Sequence, residues 1–233
     1  MKLVDKCVAV AAMFFLILAL LITSFKLVIY GDSEYRFYEK LYTKYEVTES
    51  LNMKMEDVME VTDYMMAYLI GEEEELSIVT HVDGKEQDFF NEQDRLHMWD
   101  VKNLFLGGLK LRLIWLGAVA VLLFVLVVRK ADLKKLLPGA YTIAFLTFLV
   151  ILGFLVVAFS VDFTRCFTIF HEIFFTNDLW LFNPKTDYMI RMLPEGFFVD
   201  IVIRIATCFF VFLVAVFAGL QGWRRMHVNK QGL

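Results

Sequence analysis

The chain has 233 residues, 59% of them hydrophobic and only 21% charged, with a formal net charge of −4. An ordinary soluble domain is about 45–50% apolar, so the composition points to a membrane protein. The acidic excess gathers in residues 30–102, with 19 acidic and 7 basic side chains, net −12; that balance argues against nucleic acid and against electrostatic docking on anionic lipid.

Residues 7–25 are 19 uncharged positions between Lys6 and Lys26. About 20 apolar residues cross the hydrocarbon core, so a first span is predicted here. Its apolar core is longer than a typical signal-peptide h-region and no A-x-A-like site follows, which makes it an uncleaved signal-anchor. The segment after it is long enough to fold into a small cap. The tyrosine-rich stretch 35–45 reads as a surface helix. "MKMEDVMEVTDYMMAYLIG" places Val58, Val61, Met65 and Leu69 at helical intervals, with Gly71 as the stop. The four consecutive glutamates at 72–75 face water, since they do not space ligands like a calcium loop. "LSIVTHVDGKEQDFF" reads as a hairpin turning at Asp83-Gly84, with His81 an exposed strand residue.

"NEQDRLHMWDVKNLF" restarts a helix, with Asn91 as N-cap and Asp94 assisting it. His97 and Asp100 fall one turn apart on one face, and Gly107-Gly108 offers a flexible joint before the second span. Residues 113–128 are 16 uncharged positions that Lys110 and Arg112 can lengthen by snorkelling. Residues 136–161 are 26 uncharged positions, and residues 205–223 are 19. Between these last two lies an unusual segment, in which Asn183-Pro184 reads as a cap plus the first residue of a short helix. Pro194 opens the last helix in the same way, and Asp200 and Arg204, four apart, are placed to pair.

The fold expected is thus an all-α integral membrane protein of four transmembrane helices, with a small extracellular α/β cap between the first two. The helices occupy 1–29, 107–129, 137–161 and 198–223. The cap spans 30–106, a cytoplasmic loop 130–136, an extracellular motif loop 162–197 and a cytoplasmic tail 224–233. Orientation follows from Lys2, Lys6, Arg129, Lys130, Lys134, Lys135, Arg224, Arg225 and Lys230, opposed only by Asp5 and Asp132. The positive-inside rule puts both termini in the cytoplasm. Cys7, Cys166 and Cys208 form no C-x-x-C pair, which disfavours a disulfide-exchange enzyme.

"TIFHEIFFTNDLW" begins the zinc-protease pattern H-E-x-x-H at His171-Glu172, but Phe175 stands where the second histidine would be. His97 precedes the second span and His171 follows the third, so both fall at the outer interface. Two neutral imidazoles facing one cavity can accept and donate protons near neutral pH. Each alone can equally be a packed interfacial residue. Asp100, Glu172, Asp178, Asp187 and Glu195 lie at the same depth, among Phe170, Phe174, Phe175, Trp180 and Phe182. Carboxylates fix imidazole tautomers, and aromatic rings exclude water and shelter acyl chains. A zinc site built from both histidines and a carboxylate would lack the usual local ligand pair, and no G-x-S-x-G supports a serine hydrolase.

"RLHMWDVKNL" (95–104) and "FHEIFFTNDLWLFNPKTDYMIRMLPEGFF" (170–198) resemble the lipoprotein intramolecular transacylase family of Gram-positive bacteria. The shared features are the four-span layout, the H-M-x-D-V-K element and the string F-H-x-x-F-F … D-x-W-x-F-x-P … D … L-P-E-x-F-F. The resemblance implies transfer of the sn-2 acyl chain of a diacylglyceryl-modified lipoprotein onto the α-amine of its own N-terminal cysteine, giving the lyso form. It implies His97 and His171 as catalytic general base and acid, in either order. Asp100, Glu172, Phe174, Phe175, Trp180, Asp187, Arg191 and Glu195 are the supporting or substrate-binding candidates, with Arg191, Asn103 and Lys102 as candidate oxyanion donors. No cofactor and no metal are expected. The partners expected are the lipoprotein and membrane lipid, not nucleic acid, with the protein a monomer in the bacterial plasma membrane and its site at the outer leaflet. The alternatives are another outer-leaflet enzyme, a lipid hydrolase or zinc enzyme using the same histidines, and a non-catalytic membrane protein whose cap binds a partner.

Overall fold

The structure is a computed structural model that describes the backbone of residues 2–231 and the side chains of 2–226. Lys230, counted above in the basic tail, lies outside the described side chains. The described chain is mostly helical, with one two-stranded hairpin. It divides into two compact units, one of Met1–Val28, Leu109–Val161 and Arg204–Leu233, the other of Ile29–Gly108 and Asp162–Ile203.

The first unit takes its residues from four helices: α1 (Leu3–Tyr30), α5 (Glu92–Val128), α6 (Leu133–Val161) and α9 (Glu195–Gln231). Each is long and apolar enough to cross a membrane. Ala9, Ala12, Met13 and Ile17 of α1 pack with Leu126 of α5, Ala140, Tyr141 and Ala144 of α6, and Phe209 and Leu213 of α9. Lipid offers no hydrophobic drive between apolar helices, so small residues that let backbones approach carry the association; Ala9, Ala12, Ala140 and Ala144 serve that role. The buried Tyr141 hydroxyl donates to the Leu213 carbonyl at 2.9 Å, which satisfies the one polar atom of that ring. Asp5, the acid set among basic residues in the sequence, pairs with Arg129 at 2.6 Å.

The second unit contains α2 (Arg36–Lys44), α3 (Val47–Leu51), α4 (Met55–Ile70), strands β1 (Val79–Val82) and β2 (Lys85–Asp88), α7 (Phe163–Phe174) and α8 (Tyr188–Met192). It also holds the beginnings of α5 and α9. Helix α4 buries Val58, Val61, Met65 and Leu69 and stops at Gly71, whose φ of 85° suits a residue without Cβ. The strands pair antiparallel, Val79 opposite Asp88 and Val82 opposite Lys85. They join through Asp83 and Gly84, both at positive φ as a two-residue hairpin turn requires. His81 is exposed on the strand as expected. The unit's core centres on Tyr42, which is fully buried, stacks on Phe197 and bonds to Thr62 at 2.7 Å.

Several local details differ from the sequence-based expectation. Gly107-Gly108 does not interrupt the helix: α5 runs through both in helical conformation, and the division between the two units falls at Gly108. A helix tolerates each glycine at a cost of only about 1 kcal/mol, and the flanking turns are continuous. Pro184 does not open a helix. Asn183 instead closes a turn in which its carbonyl accepts from Thr186 and Asp187, and the short helix starts at Tyr188 with Asp187 at its cap position. Pro194 stands just outside α9, which begins at Glu195. Asp200, set against Arg204 in the sequence reading, accepts from Lys44 at 2.6 Å and from the Tyr45 hydroxyl at 2.9 Å.

Candidate functional site

Helix α5 starts on a reciprocal cap: the Asn91 side chain accepts from the Asp94 amide at 2.9 Å, and Asp94 accepts from the Asn91 amide at 3.0 Å. That cap fixes the phase of the first turns, so Gln93, His97 and Asp100 share one face. The opposite flank is tied down separately. Arg95 donates to Asp88 and to the Leu76 carbonyl, and Lys102 donates to the Glu73 carbonyl at 2.9 Å while lying over the Tyr68 ring.

His171 is presented by α7, a helix absent from the sequence reading. Asp162 caps it by accepting from the Arg165 amide, and Phe163, Phe167, Phe170 and Phe174 recur at helical spacing. His171 Nδ1 lies 2.7 Å from the Phe167 carbonyl oxygen. A carbonyl only accepts, so the proton is on Nδ1 and Nε2 of the neutral ring is left as an acceptor.

The two imidazoles are each only 6% exposed and stack, their centroids 6.0 Å apart and their planes 26° from parallel. Aromatic rings close around them. Phe175 and Phe182 stand edge-on to His97 at 5.2 and 5.3 Å; Phe167 and Trp180 lie against His171 at 4.2 and 4.9 Å. Burial among these rings pushes the His171 imidazole below its ordinary range, partly offset by the bond to Phe167. His97 Nδ1 is buried with no hydrogen-bond partner among the described residues.

Of the residues singled out in the sequence, the structure therefore gathers His97, His171, Phe170, Phe175, Trp180 and Phe182. Asp100 joins them through Asn177, whose side-chain amide donates to it at 2.8 Å. Asp187 is buried and organises the neighbouring turn, accepting from Asn91, the Asn183 amide and Thr186. Phe174 is half exposed and Glu172 exposed on α7. Glu195 accepts from Thr164 at 2.7 Å. Arg191 forks onto both carboxylate oxygens of Asp83 and also donates to the Ser50 carbonyl, and Asn103 is exposed. The fork of Arg191 and the ammonium of Lys102 are thus engaged in holding the hairpin and the end of α4. Sequence reasoning missed Phe167, Asn177 and Gln93; the aromatic period through 163–174 would have signalled the first.

Residues 10–198 match the family profile described as lipoprotein intramolecular transacylase Lit. The chain belongs to the lipoprotein intramolecular transacylase family. It is an acyltransferase and a multi-pass membrane protein. Among solved structures, it is similar to the membrane-integral lipoprotein intramolecular transacylase Lit from Bacillus cereus, with a TM-score of 0.71 at 18% identity, covering 96% of this chain and 98% of that one. Two histidine-substituted forms of the Bacillus cereus protein, one with arginine and one with alanine, give the same TM-score and identity over 96% of this chain and 95% and 96% of theirs. At that identity the likeness speaks to the fold. A search of curated protein sequences found no match.

Proposed function

We propose that this transacylase moves the sn-2 acyl chain of a diacylglyceryl-modified lipoprotein onto the α-amine of the same molecule's N-terminal cysteine. His171 acts as general base and His97 as general acid. The observation that carries the assignment of roles is the His171–Phe167 hydrogen bond, which holds the proton on Nδ1 and leaves Nε2 to accept. An α-amine titrates at about 7.7–8.0, so an acceptor beside it assists its attack near neutral pH. As the nitrogen–carbonyl bond forms, the amine proton passes to His171 Nε2. As the ester carbon–oxygen bond breaks, the departing sn-2 alkoxide takes a proton from neutral His97, and the amine proton held by His171 then passes to His97, so that both imidazoles end neutral. The product is the lyso-form lipoprotein, and both reacting groups come from one molecule.

No nucleophile of the enzyme is needed. The task left to the protein is to fold a flexible lipid so that amine and ester meet, and such positioning is worth about 7–11 kcal/mol in well-oriented cases. The rings of Phe167, Phe175, Trp180 and Phe182 around both imidazoles support a dry pocket suited to acyl and glyceryl groups. Asp100, Asp187 and Arg191 support it indirectly, through the turns they hold. The charge pattern supports an orientation with both termini cytoplasmic, residues 30–106 as a cap outside, and the site at the outer leaflet of a bacterial plasma membrane.

The test is mass spectrometry of a reporter lipoprotein's N-terminal peptide, expressed with wild-type protein, H97N or H171N in a host without its own N-acylating enzymes. The wild type should give a peptide of unchanged mass whose fragments show N-acyl, monoacylglyceryl cysteine, and each variant should lose it. Diacylglyceryl cysteine persisting beside wild-type protein would overturn the reading.

A further inference from the structure

We propose that Asn177 is a positioning residue that sets the Trp180 indole against His171 by pinning the bend after α7 to the face of α5 that carries His97. Three bonds converge on this one side chain and its carbonyl. Asn177 Nδ2 donates to Asp100 Oδ2 at 2.8 Å, its Oδ1 accepts from the Leu179 amide at 3.1 Å, and its backbone carbonyl accepts from Trp180 Nε1 at 2.9 Å. A second tether comes from Gln93, whose side-chain amide donates to the carbonyls of Leu179 and Leu181 at 3.0 and 3.1 Å. Gln93, His97 and Asp100 occupy one helical face, so the histidine sits between the two anchors of the bend.

The consequence falls on His171. Its ring is fixed on one side by the Phe167 carbonyl and meets the Trp180 indole at 4.9 Å between centroids, tilted by 32°. An indole face attracts a cation within about 6 Å. It therefore gains most when His171 has taken the amine proton, which is a transition-state preference and should appear in kcat rather than KM. Asn177 touches no reacting atom in this scheme; it acts through Trp180. The inference rests on the acyl-transfer reading for its kinetic effect but not for its geometric one.

The experiment uses the full chain in detergent or nanodiscs, with N177A, N177D and the exchange D100N/N177D. In N177D two carboxylates face each other; in the exchange an amide and a carboxylate meet again with their order reversed. Transacylation of a synthetic diacylglyceryl lipopeptide and the emission of Trp180, in a background with Trp99, Trp115 and Trp223 replaced by phenylalanine, are read side by side. A displaced reactive geometry costs about 100-fold in rate in general, so N177A and N177D should lose about 10- to 100-fold in kcat with KM little changed. Their Trp180 emission should shift, and the exchange should recover both readouts relative to N177D.

Unchanged emission and unchanged kcat in N177A would overturn the proposal. If N177A does not fold, the decision passes to N177D against the exchange, and failure of the exchange to recover emission would overturn it equally. A wild-type protein without activity on the lipopeptide would overturn the acyl-transfer reading, while the emission arm would still decide the geometric role of Asn177.

Discussion

His171 combines two features that pull against each other. Burial among Phe167, Phe175 and Trp180 opposes a charge on the imidazole, while the Phe167 carbonyl favours it; burial is the larger influence, so the folded protein holds the ring below its ordinary range. The sign of the pH dependence follows. An unfolded histidine titrates near about 6.5, so below that pH the unfolded chain binds a proton that the folded chain resists. Stability from this group is therefore fully present above about pH 6.5 and lost as pH falls toward the depressed folded value. The expected outcome is a wild-type melting temperature that drops as pH is lowered below about 6.5, with a flatter profile for H171N; thermal unfolding at a series of pH values checks it. Equal slopes in the two proteins would remove His171 as the source. The same environment leaves Nε2 unprotonated at neutral pH, the state in which a base is useful.

At the scale of elements, the second unit is held by local devices and by contacts distant in sequence, and the two differ in how legible they were. The hairpin at Asp83-Gly84, the stop of α4 at Gly71 and the reciprocal cap of Asn91 and Asp94 rest on turn and cap chemistry within four residues, and could be read directly. The start of α9 could not. Gly196 lies against the Tyr45 ring so closely that a Cβ there would run into it, and the same tyrosine bonds to Asp200. G196A should therefore force the ring aside, break that bond and lower stability by about 1–3 kcal/mol, measurable as a drop in melting temperature relative to the exposed control Lys40→Ala; an unchanged melting temperature would refute the close fit. The candidate site shows the same division. His97 and His171 drew attention because ionisable residues are costly near hydrocarbon. Their tethers, Gln93 and Asn177, look like ordinary polar residues until partners 77 to 88 positions away are seen. Helix α7 is harder to read because it is only 12 residues long and polar Thr164, Arg165 and Glu172 on its other faces break up the apolar run.

At the scale of the whole molecule, topology and charge make the same demand. If each of the four long helices crosses once, the segment after α1 and the segment after α6 must emerge on one face. The second compact unit is built from those two segments, Ile29–Gly108 and Asp162–Ile203. In the proposed orientation the positive-inside rule would leave that face outside, since the basic residues concentrate at the start of the chain, around Arg129–Lys135 and toward the end of α9. A protein lacking Cys7, Cys166 and Cys208 should accept a single cysteine at exposed Glu74, or at exposed Lys135 in the first turn of α6, with little disturbance. In intact cells a membrane-impermeant maleimide should label E74C at once and K135C only after permeabilisation. The reverse pattern would place the histidine pocket on the cytoplasmic side, where the amine of an exported lipoprotein is out of reach. Labelling of both positions in intact cells would mean that α5 does not cross as a single span, and the parity argument would fall with it.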